Sequence, residues 1–316
     1  MASLADLKPV LRSMGWWTFG KRVVEQVMED NILVWASALA YSWLFSVFPF
    51  LIFLLSLAPF LPAHARASAD NAVNNAVTAI LGKAAPTITD NIHNILNVPR
   101  HGWLVVGLAV SIWVASGGMA MTMSALDQCY DLKVGRPYYT QRPLAILLTI
   151  VAAACVLALI VLLPIGRAVE LWAKHQNLLS YPMLIAFNVA RYVLALFLSL
   201  LALTTVYYFG PAIRQRFQFF SPGAIFSVIV WFGLDQLFRL YINRFARYDQ
   251  TYGTVGGAAI LLLFFYVDAV VLLIGAEINS EIDFKTLGVP RGSTDFRQPH
   301  ATEAPAEKNH TGIVIR

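Results

Sequence analysis

Four charged residues lie inside long apolar stretches of this sequence: Arg191, Asp235, Arg239 and Asp268. A charge at the centre of a membrane helix costs about 2.5–3.5 kcal/mol on insertion scales, so such a residue usually faces a cavity or another charge. Asp235 and Arg239 are four positions apart and therefore share one helix face. At about 1.5 Å per residue, Asp268 is expected near the midplane and the other three nearer the outer surface.

Two interpretations of these charges are open. In the first, Arg191, Asp235 and Arg239 line a polar pocket that opens outward, and Asp268 lies at its floor. The arginines would hold the phosphate or carboxylate of an anionic or amphipathic substrate, and Asp268 would carry a coupling proton. In the second interpretation, the charges form structural ion pairs between helices, which contribute little net free energy.

The composition indicates which elements must position these residues. Of the 316 residues, 58% are hydrophobic and 13% are charged, and the mean hydropathy is +0.63, whereas soluble domains carry about 25% charged residues. Strands of alternating polarity typical of a membrane β-barrel are not evident. The sequence therefore predicts an all-α, polytopic membrane helix bundle. Six windows match a span of about 20 apolar residues, namely 32–61, 103–125, 143–165, 183–209, 219–242 and 253–278.

The segments outside the six-span membrane domain (32–284) have their own character. Residues 1–31 are expected to be a cytoplasmic segment with an interfacial amphipathic helix at 14–30, in which Trp16 and Trp17 suit the headgroup level; an ordinary helix packed on the bundle is the alternative. Residues 62–102 predict two short extracytoplasmic amphipathic helices, which either cap the bundle or lie on the membrane. Residues 285–316 are polar, with scattered Pro and Gly, and predict a disordered cytoplasmic tail.

The basic residues predict the orientation in the membrane. With the N-terminus inside, the inside segments hold fourteen Lys and Arg residues and the outside segments hold seven. This excess favours a multi-pass protein of the bacterial inner membrane with both termini in the cytoplasm. The net charge of +5 then reflects topology and anionic lipid, and no nucleic-acid partner is expected.

Several other residues have a predicted structural role. Pro49 removes a backbone donor from the first span and is expected to bend it. Glu277 and Asn279 form a polar cluster at the cytoplasmic end of the last span, where we expect helix capping or a basic partner for Glu277 in preference to a cation site. Small residues predict close helix packing at Gly117, Gly118, Gly253 and Gly257.

Four stretches of the sequence carry a resemblance to a known family. The stretch "ALAYSWLFSVFPFL" resembles the first-span signature of the YihY/BrkB family of bacterial inner-membrane proteins, "SIWVASGGMAMTMSALDQCY" its second span, and "YGTVGGAAILLLFFY" and "LLIGAEINSEI" its last. The resemblance implies an envelope role that involves lipids and transport; the old ribonuclease BN label of the family is generally regarded as a misassignment. This chain departs from the family at Phe264 and Phe265, where tryptophan is frequent, and at Asp268, where a small polar residue is usual.

Three classes of function are compatible with these observations. The first is a transporter or permease for an anionic or amphipathic substrate, such as a lipid or a small molecule. The second is a structural or assembly protein of the envelope, and the third is a membrane-embedded enzyme. The sequence has no H-x-H, H-E-x-x-H, G-x-S-x-G, P-loop or C-x-x-C pattern. We therefore expect no ribonuclease activity, no metal site and no cofactor, and the oligomeric state stays open.

Overall fold

The computed structural model describes residues 2–57, 101–175, 181–245 and 249–296. The predicted extracytoplasmic segment 62–102 lies outside the described residues, except for its last two positions. The predicted C-terminal tail also lies outside them from residue 297 onward. Everything below concerns the described ranges.

Two helices precede the membrane domain. Helix α1 (Leu4–Met14) begins at a capping box, in which the Ser3 hydroxyl accepts from the Asp6 backbone N–H and the Asp6 carboxylate accepts from the Ser3 N–H. Helix α2 (Trp16–Glu29) follows Gly15, whose φ of 79° favours glycine. The sequence analysis predicted a helix at 14–30 and missed α1. Trp16 and Trp17 are 76% and 88% exposed, as the side chains of an interfacial helix would be.

Six longer helices follow: α3 (Ile32–Leu57), α4 (His101–Gln128), α5 (Tyr138–His175), α6 (Tyr181–Phe209), α7 (Pro222–Phe245) and α8 (Asp249–Leu287). Five of them contain a stretch long and apolar enough to cross a membrane, and α7 contains a shorter apolar stretch at Pro222–Phe238. The helical membrane bundle is therefore confirmed, whereas the number of six spans stays a prediction. Helix α3 runs through Pro49 without ending there.

The six long helices form a closed ring. Each helix from α3 to α8 contacts the next one in the chain, and α8 closes the ring by packing against α3. Because consecutive helices are antiparallel neighbours, α3, α5 and α7 begin at the same end of the bundle at which α4, α6 and α8 end. We call this end, which also carries α1 and α2, the terminal end.

The ordered chain extends further than the sequence predicted at the C-terminus. Helix α8 continues to Leu287, and strand β2 (Asp295–Phe296) pairs in parallel with strand β1 (Arg214–Gln215) from the α6–α7 connection. Phe296 is 1% exposed and lies edge-on against Tyr130, with ring centroids 5.5 Å apart. The predicted disordered tail from residue 285 is therefore corrected, because burial of Phe296 and the strand pairing fix the chain to residue 296.

Helices α7 and α8 approach each other closely at two glycines. A Cβ atom at Gly223 would overlap the Gly275 carbonyl oxygen, and one at Gly275 would lie 2.8 Å from the Gly223 carbonyl oxygen. The sequence analysis did not single out this pair. Of its own candidates, Gly118 packs against Ser46, with 3.0 Å between its ideal Cβ and that of Ser46, and Gly117 would place a Cβ 3.9 Å from Arg142 Nη1. Gly257 is half-buried. The structure does not describe the surroundings of Gly253.

Substitution of Gly223 tests the importance of this close approach. We expect Gly223→Ala to lower the free energy of unfolding by about 1–3 kcal/mol, since a new methyl group would meet backbone that cannot move away. Gly233 on the same helix has no atom within 4 Å of an ideal Cβ, so Gly233→Ala is the matched control. It should be neutral or stabilise by up to about 1 kcal/mol. Denaturant unfolding in detergent micelles measures both, and equal effects would contradict the packing argument.

Candidate functional site

A cavity of about 380 Å³ lies at the centre of the ring. All six long helices contribute to its wall. Representative lining residues are Trp43 and Ser46 from α3, Gly118 and Thr122 from α4, Thr149 from α5, Ala202 from α6, Trp231 from α7 and Phe265 from α8. Because each wall segment comes from a different helix, the cavity depends on the closed ring.

Two hydroxyl groups of the cavity wall are hydrogen-bonded within the protein. The Thr122 hydroxyl accepts from Trp43 Nε1 at 3.0 Å and donates to the Gly118 carbonyl at 2.9 Å. Thr149 donates to the Ala145 carbonyl at 2.7 Å. These pairings turn hydrogen-bonding groups away from the cavity, so the wall favours an apolar occupant.

Arg191 belongs to α6, and its acidic partner is Glu170 of the neighbouring helix α5. Arg191 Nη1 is 3.9 Å from Glu170 Oε2, and the side chains are 7% and 14% exposed. The guanidinium carbon of Arg191 also lies over the Tyr192 ring, 5.0 Å from the ring centroid. Among the described residues, its Nε and Nη1 are buried and have no hydrogen-bond partner. The pair supports the interpretation of Arg191 as part of an ion pair between helices, although two donor groups are left unused.

The sequence analysis missed Glu170 because it ended the third span at residue 165. Helix α5 continues to His175, which carries Glu170 to the level of Arg191. The spacing of Arg167, Glu170 and Lys174 by three and four positions is compatible with one more helical segment, and this is the signal that could have found it.

The structure gives less detail on the other three predicted pathway residues. Asp235 and Arg239 lie on α7, but the structure does not describe their side chains. Asp268 is half-buried on α8. It lies between Phe265 and Leu272, two cavity-lining residues on the same helix face. Its backbone carbonyl accepts a hydrogen bond from Trp231 Nε1 at 3.4 Å.

A second polar region lies at the terminal end, where Asn279 caps helix α7. Asn279 Oδ1 accepts from the Gly223 backbone N–H at 2.9 Å, and its amide nitrogen donates to the Ser221 hydroxyl at 3.3 Å. Ser221 in turn accepts from the Ala224 N–H at 3.1 Å. Side chains thus satisfy two N–H groups of the first turn of α7. Asn279 therefore contacts a helix terminus, as one interpretation of the sequence proposed.

The carboxyl end of α6 is satisfied by residues from elsewhere in the chain. Arg136 donates to the carbonyls of Phe209, Gly210 and Pro211 at 2.7–2.8 Å. The Gln215 amide donates to the carbonyls of Tyr207 and Tyr208. Burial lowers the pKa of Arg136, and the nearby Asp127 carboxylate opposes this shift. A cation at these carbonyls also complements the helix dipole.

Glu281 is neutralised by two arginines. Arg22 Nε of α2 lies 3.1 Å from Glu281 Oε2, and Arg291 Nη2 binds Glu281 Oε1. Arg291 Nη1 also contacts Asp131 at 2.8 Å. The pKa of Arg291 is raised, because these two carboxylates outweigh the effect of burial. The two arginines therefore balance the negative charge of Glu281, whose side chain is 5% exposed.

Glu277 and Asp30 form no ion pair with a lysine or arginine within the described ranges. Glu277 is fully buried, and its Oε1 has no hydrogen-bond partner within the described part of the chain. Its Oε2 accepts from the Ser280 hydroxyl at 3.3 Å. Asp30, at the end of α2, is 5% exposed and accepts from Gln26 Nε2 at 2.9 Å.

The Asp30 and Glu277 carboxyl groups lie within hydrogen-bonding reach of each other. Burial raises the pKa of Asp30, and Asp131 raises it further. The third neighbour is Cys129, whose thiol pKa is raised well above its usual range by burial and by Glu277. No group of three or more His, Cys, Asp or Glu side chains suited to a metal ion occurs in the described ranges.

Comparison with known sequences identifies the family. Residues 23–295 match the sequence profile described as "Virulence factor BrkB". The chain belongs to the BrkB virulence factor family. The match covers every long helix of the ring, Asp30, Glu277 and the first residue of strand β2, and it confirms the resemblance to the YihY/BrkB family.

Two relatives illustrate what this BrkB family member is similar to. The chain is 31% identical over 246 residues to the putative ribonuclease-like protein YfkH of Bacillus subtilis, which covers 78% of this chain and 88% of the relative. It is 24% identical over 280 residues to a UPF0761 membrane protein of Xanthomonas campestris. This alignment covers 84% of this chain and 60% of that relative. The chain thus spans less than two thirds of the Xanthomonas protein. No solved structure matches the chain.

A double-mutant cycle tests the ion pair of Arg191 and Glu170. We expect Arg191→Met to lower the free energy of unfolding by about 3 kcal/mol, because the buried contact between Arg191 and Glu170 would be lost. The double variant Arg191→Met/Glu170→Gln should recover most of this loss. Unfolding of the purified protein in detergent micelles measures each variant.

The exposed ion pair of Lys21 and Glu25, 3.5 Å apart on α2, supplies the control for this cycle. Lys21→Met should change the free energy of unfolding by less than about 0.5 kcal/mol. Additive effects of the Arg191 and Glu170 substitutions, with no recovery in the double variant, would show that the two charges do not act as a pair.

Proposed function

We propose that this BrkB family member is a permease that moves an amphipathic substrate, such as an anionic lipid, through the centre of the helix ring. The observation that carries the proposal is the central cavity of about 380 Å³ with a wall from all six long helices. Its volume falls within the range of about 300–1,000 Å³ that is usual for small-molecule sites. A packed structural bundle would fill this space with side chains.

The character of the wall limits which part of the substrate enters. The wall hydroxyls of Thr122 and Thr149 are engaged with the protein, so a polar headgroup would find few partners there. Burial of apolar surface contributes about 25 cal/mol per Å², which favours an acyl chain or a similar apolar portion in the cavity.

The anionic portion of such a substrate needs a cation elsewhere. Two buried N–H groups of Arg191 have no hydrogen-bond partner in the described part of the chain, and they could bind a phosphate or carboxylate oxygen. Glu170 offsets part of the charge of Arg191, so the pair would bind an anion more weakly than an isolated arginine. Asp235, Arg239 and Asp268 remain part of the proposed pathway.

The proposed location is the bacterial inner membrane, with the terminal end in the cytoplasm. The excess of basic residues in the predicted inside segments supports this orientation. Membrane lipids are the proposed partners, and no nucleic-acid partner is proposed. The exposed Trp16 and Trp17 of α2 would then lie at the inner headgroup layer.

We further propose that the protein is not a ribonuclease, although the printed name of its Bacillus subtilis relative contains the words "ribonuclease-like". A metal-dependent nuclease needs clustered ligands, and the described residues hold no such cluster. An envelope scaffold is the alternative function. It would keep the fold and interactions of the ring but would carry no substrate in the cavity.

Filling the cavity tests the permease. Ala202 on α6 lines the cavity, whereas Ala186 on the same helix is exposed, so Ala202→Phe and Ala186→Phe are matched variants. We expect mass spectrometry to find a lipid enriched with the purified wild type and with Ala186→Phe, and at least tenfold less of it with folded Ala202→Phe. Vesicles that contain a fluorescent analogue of that lipid should show the same ranking of transfer between leaflets.

Two outcomes would count against the permease. Equal lipid content in both variants would show that bound lipid does not occupy the cavity. Normal envelope phenotypes with Ala202→Phe, together with no transfer by the wild type, would favour the scaffold.

Release of radiolabelled fragments from RNA by protein in detergent would contradict the proposal that the protein is not a ribonuclease.

A further inference from the structure

The acid pair at the terminal end suggests the ion that drives the transporter. Glu277 is fully buried and Asp30 is 5% exposed, yet their carboxyl groups face each other within hydrogen-bonding reach. Two carboxylates at this distance in a dry site repel strongly, and such pairs usually retain one proton. The free Oε1 of Glu277 is the acceptor that a protonated neighbour would satisfy.

We propose that Asp30 and Glu277 form a proton-binding site that holds one proton between their carboxyl groups in the conformation seen here. The proton comes from water and forms an O–H bond on one carboxyl group, which donates a hydrogen bond to the other. Release reverses this step and leaves two carboxylates. The site differs from Asp268, which the sequence analysis selected as the proton carrier.

The groups around the pair do not supply a competing cation. On α2, Gln26 donates to Asp30. After α4, the Cys129 thiol is neutral because of its raised pKa, and Asp131 adds negative charge. On α8, Ser280 donates to Glu277. The charge of Arg291 also acts on Asp30, but Arg291 is already bound to Asp131 and Glu281.

The position of the pair connects the proton to the helix ring. Asp30 lies directly before α3, and Asn31 between them has a φ of 52°, so the α2–α3 turn is tightly set. Glu277 lies on α8, which packs against α3. The shared proton therefore joins the starting end of α3 to α8, and its loss would place like charges across this contact. Ion coupling through this contact rests on the permease proposed above, whereas proton binding does not.

Infrared spectroscopy of the full-length protein in lipid nanodiscs tests proton binding without any substrate. At pH 7 we expect a protonated carboxyl C=O band in the wild type that shifts in D2O. The band should disappear in Glu277→Gln and should shift in frequency in Asp30→Asn, because Glu277 stays buried in that variant but its hydrogen-bond acceptor changes. It should persist in Asp268→Asn and in Glu25→Gln, an exposed acid on α2 that serves as the matched control.

Several results would overturn the proton site. One is the absence of the band from the wild type at pH 7, and another is its loss in Asp268→Asn. A band at an unchanged frequency in Asp30→Asn would also exclude the shared proton, even if Glu277→Gln fails to fold.

Thermal unfolding against pH gives a second reading of the same site. The folded pair keeps a proton that the unfolded chain releases near its ordinary carboxyl pKa of about 4, so stability falls as pH rises above that value. We expect this fall to be smaller in Glu277→Gln, which has no proton to lose, and unchanged in Glu25→Gln. An identical pH dependence in wild type and Glu277→Gln would contradict proton storage by the pair.

A transport assay separates coupling from binding. In vesicles with the lipid analogue, a pH gradient should change the transfer rate of the wild type at least threefold and leave Glu277→Gln unaffected. The infrared band could assign the proton to Asp30 and Glu277 while a pH gradient has no effect on lipid transfer. That result would support the proton site and contradict the coupling of the proton to transport. If no lipid moves at all, the permease is wrong while the infrared result still decides the proton site.

Discussion

The terminal end of the bundle depends on one constraint: inside a membrane protein, backbone and charged groups that water cannot reach must find partners within the chain. The chain meets this constraint with side chains from distant segments. Asn279 of α8 satisfies the start of α7, and Arg136 from the α4–α5 connection satisfies the end of α6. These bonds fix which helix ends lie together, and hence the order of the ring.

Close packing follows where these partners hold the helices together. Asn279 can reach the Gly223 N–H because Gly223 and Gly275 allow α7 and α8 to touch along their backbones. Tyr207 of α6 adds a third helix to this contact, since its hydroxyl donates to the Leu272 carbonyl at 2.7 Å. Further along the ring, the larger side chains of Trp43, Trp231 and Phe265 stand around an open centre. The bundle is thus tightly joined at one end and hollow in the middle.

The cavity and the acid pair are carried by shared helices, which gives the proposed mechanism its physical basis. Helix α3 begins just after Asp30 and carries Trp43 in the cavity wall. Helix α8 carries Phe265 in the wall and Glu277 about three turns further on. A change in charge at the terminal end would act on the same two helices that enclose the substrate. Buried polar contacts of this kind have two alternatives, bonded or separated, and such contacts are suited to switching between states.

The sequence by itself determined the membrane class, the helical bundle and the family, because apolar windows about 20 residues long and local motifs are properties of contiguous residues. It also selected Glu277 and Asn279 as a polar cluster. Only the tertiary structure decided that Asn279 caps α7, that Glu170 is the partner of Arg191, and that Glu277 faces Asp30 across 247 positions of the chain. These pairings join residues far apart in sequence, and each one depends on which helices are neighbours. Neither periodicity nor depth along a single helix contains that information.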